Sequence, residues 1–385
     1  MSYICSGNCL ICKKCPSASI LEKEGMSIRS IVPRNGYGIA IDVGTTTVLL
    51  ALINLENGFA LARHSFMNPQ RAFGPDVVSR IDAANKGYLP RLGSMIFDSL
   101  CLGIKTLLHT SGTAKISDVV IAGNTVMTHL LLGFSCESLG ALPFSPSDSP
   151  AGSYDGLFAS EGIDCGVYVM PWLAGHVGGD VTAGLLYVMP ERKKRFLLID
   201  IGTNGEMALY DNGTLFVTAT AAGPAFEIPM NDSKLVLGAS SIITALAGLV
   251  RKGDIDKTGL LLNKDAFTQK QVRDLQLAKS AIRSGLEILL ETGGLSYLDL
   301  DAVYLAGGIG QAMNVEDAVR IGLIPYKLKS ISRAVGNSSL GGAIACLTDM
   351  TGAKGKIKQL QRSATELNLA AHINFNDYFV ENMFF

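Results

Sequence analysis

Apolar residues along this chain fall into two kinds of stretch, unbroken runs bounded by glycine-rich turns and longer segments where they recur at helical spacing. The first kind predicts strands over Gly38–Asn54 (two strands), Gly58–Phe66, Asp118–Ala122 and Gly166–Met170. The second predicts helices from about Asp76 to Asn85, from Arg91 to His109, after Asn124 or Thr125, and from Gly179 towards Pro190. The same order then returns. Phe196–Tyr210 reads as a hairpin, Leu215–Ala219 as its third strand, and helical spacing resumes near Ser240 and over Thr268–Glu291. Ala302–Ala306 is a buried strand, and a last core helix begins near Ser338. Each half reads βββαβαβα, so the expected fold is α/β with two like half-domains facing across a cleft, at 36–190 and 191–385.

The two hairpins are near copies. The first runs GIAIDVGTTTVLLALINLENG and the second FLLIDIGTNGEMALYDNG. In each, an apolar strand ends in an acidic residue, a Gly-Thr turn follows, a second strand returns, and an Asn-Gly turn closes the motif. Such a turn presents backbone N–H groups and hydroxyls to an anion. One copy is an ordinary turn more often than a ligand site; two copies followed by Gly307-Gly308-Ile309-Gly310 at a strand end point to a nucleotide. The candidate phosphate contacts are Gly44, Thr45, Thr46 and Thr47 in the first hairpin and Gly202, Thr203, Asn204 and Gly205 in the second. Gly307, Gly308 and Gly310 allow close backbone approach to an adenosine, with Gln311 in reach of its sugar or base. Asp42 and Asp200 would repel polyphosphate unaided, so a magnesium ion held through water is their expected partner. Asp180 is the candidate for polarising an attacking water and Glu206 the alternative; the plainer readings are a helix N-cap and a structural acceptor. His129 and His176 give little support to a histidine metal site.

Composition narrows the class. With 385 residues, 48% hydrophobic, 17% charged and a net charge of −1, the chain offers no electrostatic footprint for nucleic acid or an anionic membrane. It has no apolar run of spanning length and no secretory signal core, so a cytoplasmic location is expected. Of its 8 cysteines, Cys101, Cys136, Cys165 and Cys346 lie singly in apolar surroundings and read as buried small hydrophobes. Cys5, Cys9, Cys12 and Cys15 are clustered and followed by Pro16, an echo of the bacterial ferredoxin run that favours an iron–sulfur cluster, of the 4Fe-4S type, with zinc as the alternative. Residues 1–35 are therefore a cysteine-rich arm and linker.

The set of motifs resembles the actin, sugar-kinase and heat-shock-chaperone ATPase superfamily. Asp42–Thr47 is similar to its first phosphate motif, Asp200–Glu206 to its second, Leu305–Gly310 to its adenosine motif and Gly336–Ala343 to a connecting helix. Asp180 stands where chaperone-like members place a water-positioning carboxylate. More closely, the segments NPQRAFGPDVVSRI, AGNTVMTHLLLG, DIGTNGEMAL and AAGPAFE resemble the reductive activators of corrinoid proteins. That resemblance covers about residues 36–385; upstream, long members carry a plant-type ferredoxin domain and a linker domain. It implies an ATPase that couples nucleotide to electron transfer, returning cob(II)alamin on a corrinoid partner to cob(I)alamin. The electron donor is unassigned and a homodimer is left open. A small-molecule kinase of the same fold and a nucleotide-dependent metallo-chaperone are the competing readings.

Overall fold

The computed structural model describes residues 31–113, 115–141, 144, 152–189, 193–202, 204–220, 225, 239–263, 267–307 and 313–385. They form two compact units. The first holds the chain up to Pro190 together with Ser338–Arg362, and the second holds Glu191–Asn337 and Ser363–Phe385.

In the first unit, strands β1 (Tyr37–Val43), β2 (Thr47–Asn54), β3 (Ala60–Met67), β4 (Asp118–Gly123), β5 (Gly152–Ser153) and β6 (Gly166–Val169) form one sheet in the order β3-β2-β1-β4-β6-β5. β1 pairs antiparallel with β2 and parallel with β4, so the sheet changes character at its centre. In the second unit, β7 (Arg195–Ile201), β8 (Gly205–Asp211), β9 (Thr214–Thr220), β10 (Ala302–Ala306), β11 (Ser332–Gly336) and β12 (Ala364–Glu366) follow the order β11-β10-β7-β8-β9-β12. The duplication extends to register, with Asp42 opposite Ala122 and Asp200 opposite Ala306. The expected βββαβαβα repeat and doubled α/β architecture are present; β5 and β12 are short additions at sheet edges.

Burial on both faces explains the unbroken apolar strands. Below the first sheet lie helices α1 (Val77–Ala83), α2 (Leu89–Ser111) and α3 (Thr125–Leu132), packed on Ile39, Ile41, Leu50, Val119 and Ile121. Leu92, Ile96, Leu100, Ile104 and Leu107 of α2 repeat at three and four residues and are all buried, so truncating Leu100 to Ala should cost about 2–5 kcal/mol. Gly87 at φ 94 lets the chain pass from α1 to α2 through the short turn Ala84–Tyr88. The other face packs α4 (Gly179–Val188) and the helix Ser338–Thr348 against Ala40, Val120 and Ala122. Those two helices approach so closely that a Cβ on Gly342 would lie 1.8 Å from the Ala183 carbonyl. Ser338–Arg362 therefore packs in the first unit, although it lies within the stretch read from sequence as the second half-domain.

The second unit's core is built by α5 (Ala239–Lys252) and α6 (Gln269–Thr292) on Leu197, Ile199, Val303 and Leu305. The aromatic C-terminal segment docks on α6. Asn374 Nδ2 and Tyr378 Oη donate to Glu291 at 2.7 and 2.9 Å, Gln276 Nε2 donates to the Met383 carbonyl at 2.9 Å, and the Lys279 ammonium donates to the Phe384 carbonyl. Arg195 opens β7 and donates from Nε to Asp211 at 2.8 Å. Among the described residues, no helix is long and apolar enough to cross a membrane.

Candidate functional site

Both hairpin loops fall at the carboxyl ends of central strands, where each sheet switches from antiparallel to parallel pairing, and open α/β sheets bind ligands at such points. The first loop follows Asp42 on β1. Asp42 is 9% exposed and accepts a 2.8 Å hydrogen bond from Ser339 Oγ, at the start of the helix Ser338–Thr348. Gly44 makes the turn: a Cβ there would meet the Thr47 carbonyl at 2.6 Å. The loop carbonyls are held from behind. Asn68 Nδ2 donates to Gly44 O at 2.9 Å, Arg80 Nη2 to Thr45 O at 2.6 Å and the Asn68 amide to Thr46 O at 2.9 Å.

Asp180 reaches the same unit's site through a pair of glycines. A Cβ on Gly178 would lie 2.5 Å from the Thr125 amide, and one on Gly179 2.5 Å from the Met170 carbonyl. Only glycines let α4 begin that close to the ends of β4 and β6. Gly178 is the helix N-cap, and Asp180 Oδ1 accepts from the Val181 amide at 2.9 Å. The plain reading of Asp180 as the N-cap is not met, since Gly178 holds that position, although the Asp180 carboxylate does satisfy a first-turn amide. It does more than that. Burial, and after it the Asp42 charge, push its carboxyl up to about 7 against the lowering effect of the Val181 hydrogen bond. Asp42 at the end of β1 and Asp180 at the start of α4 repel each other, a pairing that a cation relieves and that fits a magnesium-bound polyphosphate.

In the second unit, Asp200 ends β7 and stands opposite Glu206 on β8 in the antiparallel register, so both project from one face. Glu206 is 7% exposed. Gly202 closes the loop by donating its amide to the Asn204 carbonyl at 2.9 Å. Gly205 has no room for a side chain, because a Cβ would meet Ile282 at 2.9 Å. Gly307, at φ +87, ends β10 beside Asp200: a Cβ there would lie 2.3 Å from Asp200 Oδ1. The adenosine-motif glycine thus also makes space for the hairpin carboxylate. Thr203, Gly308, Gly310 and Gln311 lie outside the described residues, as do Cys5, Cys9, Cys12 and Cys15.

The structure therefore joins Asp42, Asp180 and Gly44–Thr47 within the first unit, and Asp200, Glu206, Gly202, Asn204, Gly205 and Gly307 within the second. Sequence reasoning missed Ser339, Asn68 and Arg80. Ser339 lies 297 positions from Asp42, a pairing that no local signal carries. Asn68 and Arg80 fall in the NPQRAFGPDVVSRI segment, noticed as a motif but given no task. Cys101, Cys136, Cys165 and Cys346 are free and buried as expected, and burial lifts their thiols to about 11 to 12. Among the described residues, no group of three or more His, Cys, Asp or Glu could hold a metal ion.

Comparison with known proteins agrees with this architecture. The family description "RACo middle region" matches residues 37–192, and "C-terminal domain of RACo the ASKHA domain" matches 194–231 and 262–385. The corrinoid activation enzyme RamQ of Eubacterium limosum is 32% identical, over 94% of this chain and 73% of its own length. The [Co(II) methylated amine-specific corrinoid protein] reductase of Methanosarcina barkeri is 24% identical, over 89% of this chain and 76% of its own. The solved structure of a reductive activator for corrinoid,iron-sulfur protein superposes with a TM-score of 0.81 at 30% identity, covering 91% of this chain. This chain spans 66% of that one's length.

Proposed function

This chain belongs to the RACo family, and from that premise we propose that it is an ATP-dependent reductive activator of a corrinoid protein. The observation that carries the reading is the doubled hairpin: each unit presents a glycine turn beside a strand-end carboxylate, Asp42 in one and Asp200 in the other. In this reading the amides and hydroxyls of Gly44–Thr47 and of Gly202–Gly205 bind phosphate oxygens. Asp42 and Asp200 would hold magnesium, which would supply positive charge against the phosphates. Asp180 orients the water that attacks the terminal phosphate, and its raised carboxyl suits a proton acceptor working near neutral pH. Gly307, with Gly308, Gly310 and Gln311, takes the adenosine.

ATP is needed because one-electron reduction of cob(II)alamin to cob(I)alamin is uphill from ordinary donors. Nucleotide binding can favour a state in which the transfer proceeds, by no more than the difference in affinity between the two states. Cys5, Cys9, Cys12 and Cys15 would hold a 4Fe-4S cluster, whose chemistry would be one-electron transfer at low potential; their continuous spacing suits it better than zinc, which usually takes two separated pairs. The functional division we adopt is an arm at 1–35 and half-domains at 36–190 and 191–385, with Ser338–Arg362 of the latter serving the first, in a cytoplasmic protein. The two relatives favour this reading over a small-molecule kinase, because they are a corrinoid activation enzyme and a corrinoid protein reductase.

The test is anaerobic. Protein, a cob(II)alamin-loaded corrinoid protein and a titanium(III) reductant are mixed with and without MgATP, and the cob(I) absorbance is followed. We expect cob(I) only with MgATP, and about four iron and four sulfide per chain, lost when Cys9 and Cys12 become Ser. Equal cob(I) formation without nucleotide would overturn the reading, as would ATP turnover that responds to sugars and ignores the corrinoid protein.

A further inference from the structure

The NPQRAFGPDVVSRI segment has no task in the chemistry above, yet it supplies two side chains that grip the first hairpin's loop. Its centre is Arg80 on α1, whose residue is 0% exposed. The guanidinium donates from Nη2 to Thr45 O at 2.6 Å, from Nε to Gly74 O at 3.2 Å and from Nη1 to Met127 Sδ at 3.1 Å. Burial and the neighbouring Arg71 lower it to about 10, with Asp76 opposing, so it stays charged at neutral pH. Asn68 is 1% exposed and completes the grip, with Nδ2 on Gly44 O and its own Oδ1 accepting from the Gln70 amide at 3.0 Å. Gln70 in turn donates to Leu92 O at 3.0 Å, which ties the segment to α2.

A buried cation is costly unless hydrogen bonds offset its lost hydration, and a helix anchor alone would be served by an apolar side chain. What the guanidinium does here is fix a loop carbonyl. A trans peptide is planar, so the N–H that follows a carbonyl points the opposite way. Holding Gly44 O and Thr45 O therefore sets the direction of the Thr45 and Thr46 amides. Those are the groups read above as phosphate donors. The buried charge also lies behind the loop, where solvent screens it little.

We propose that Arg80, seconded by Asn68, is a positioning residue that orders the Gly44–Thr47 loop and raises its affinity for a nucleotide's phosphates. The inference rests on the nucleotide reading above. A mere staple for α1 would lower global stability and leave affinity in the folded fraction unchanged. The full chain carrying Arg80→Met is compared with wild type by two readouts. In nucleotide-free protein, backbone hydrogen exchange over residues 43–50 should run about 10-fold faster, with the second unit's peptides unchanged. Equilibrium titration with MgATP should show affinity falling about 10- to 100-fold. Arg80→Lys should recover part of that, since it restores the charge but not the three-way grip. A folded Arg80→Met with wild-type exchange and wild-type affinity overturns the proposal. If Arg80→Met does not fold, Asn68→Ala decides by the same readouts, since it removes one loop donor and leaves the charge. A wild type that binds no MgATP overturns the nucleotide reading and the affinity half of this one; the exchange comparison still decides whether Arg80 orders the loop.

Discussion

The two hairpins share a register and a turn, but they are completed by different means. The first recruits its chemistry from afar: Ser339 bonds Asp42, Asp180 comes on α4, and Asn68 and Arg80 hold the loop from behind. The second carries its own. Glu206 stands directly across from Asp200, where the first hairpin has Leu49 across from Asp42. A duplicated fold thus puts similar carboxylates at equivalent points while leaving each free to gather a different second group. The first pairs its carboxylate with a residue whose proton is loosely held near neutrality.

The largest expected effect tests that division of labour. Asp180→Asn should cut ATP turnover at saturating magnesium about 100- to 1000-fold, against about 10-fold for Glu206→Gln, by steady-state phosphate release. The reverse ranking would move water positioning to the second hairpin. Next come the turns' glycines. Gly307→Ala forces a Cβ into Asp200 at φ +87 and should destabilise the protein by about 2–4 kcal/mol in urea unfolding. Gly44→Ala meets only the Thr47 carbonyl without a left-handed backbone, so about 1–2 kcal/mol is expected, and a larger cost than Gly307→Ala would undo the contrast.

The units also bury ionisable groups of opposite kind. Asp180, raised from 3.8 to about 7, holds a proton in the folded state that the unfolded chain releases. Its contribution to stability is therefore complete below pH 4 and is lost as pH rises through 7. Lys279 is lowered from 10.5 to about 7 by burial and then by Arg283, so the unfolded chain binds a proton that the folded one refuses. Its contribution runs the other way, with stability rising from pH 7 to 10.5. In metal-free buffer, Asp180→Asn should flatten the first slope and Lys279→Met the second, each by roughly 1–3 kcal/mol across its window in denaturant titrations. If neither slope moved, these side chains would not carry the linkage. The smallest effect compares the far turns. Asn212 and Gly213 make a two-residue hairpin with φ 48 and φ 107, so Asn212→Ala should cost about 1 kcal/mol. Asn57 precedes Gly58 in a longer loop and has no left-handed backbone of its own, so Asn57→Ala should cost less than about 0.5 kcal/mol.

Much of this was legible beforehand because its causes are local. Strand runs such as Ala302–Ala306, the start of α6 at Thr268 and the Asn124 cap of α3 follow from short-range pattern and hydrogen bonding, and they fall where the sequence places them. The hairpin carboxylates were legible because the motif is repeated. What sequence reading lacked were pairings made by packing. Nothing near Arg80 says that its guanidinium turns inward to a carbonyl at residue 45, and an arginine on an amphipathic helix ordinarily faces water. Likewise the Ser338–Thr348 helix is apolar on every side, which signals burial but not the sheet it covers.

That helix has a consequence for how the protein is made. The first unit needs Ser338–Thr348 to cover Ala40, Val120 and Ala122 and to bring Ser339 to Asp42, yet those residues leave the ribosome only after nearly all of the second unit. While the second unit is being made, α4 alone covers that apolar face of the first sheet, a window in which a nascent chain is open to aggregation and to chaperones. A gene cut at the family boundary near residue 192 would make that window permanent.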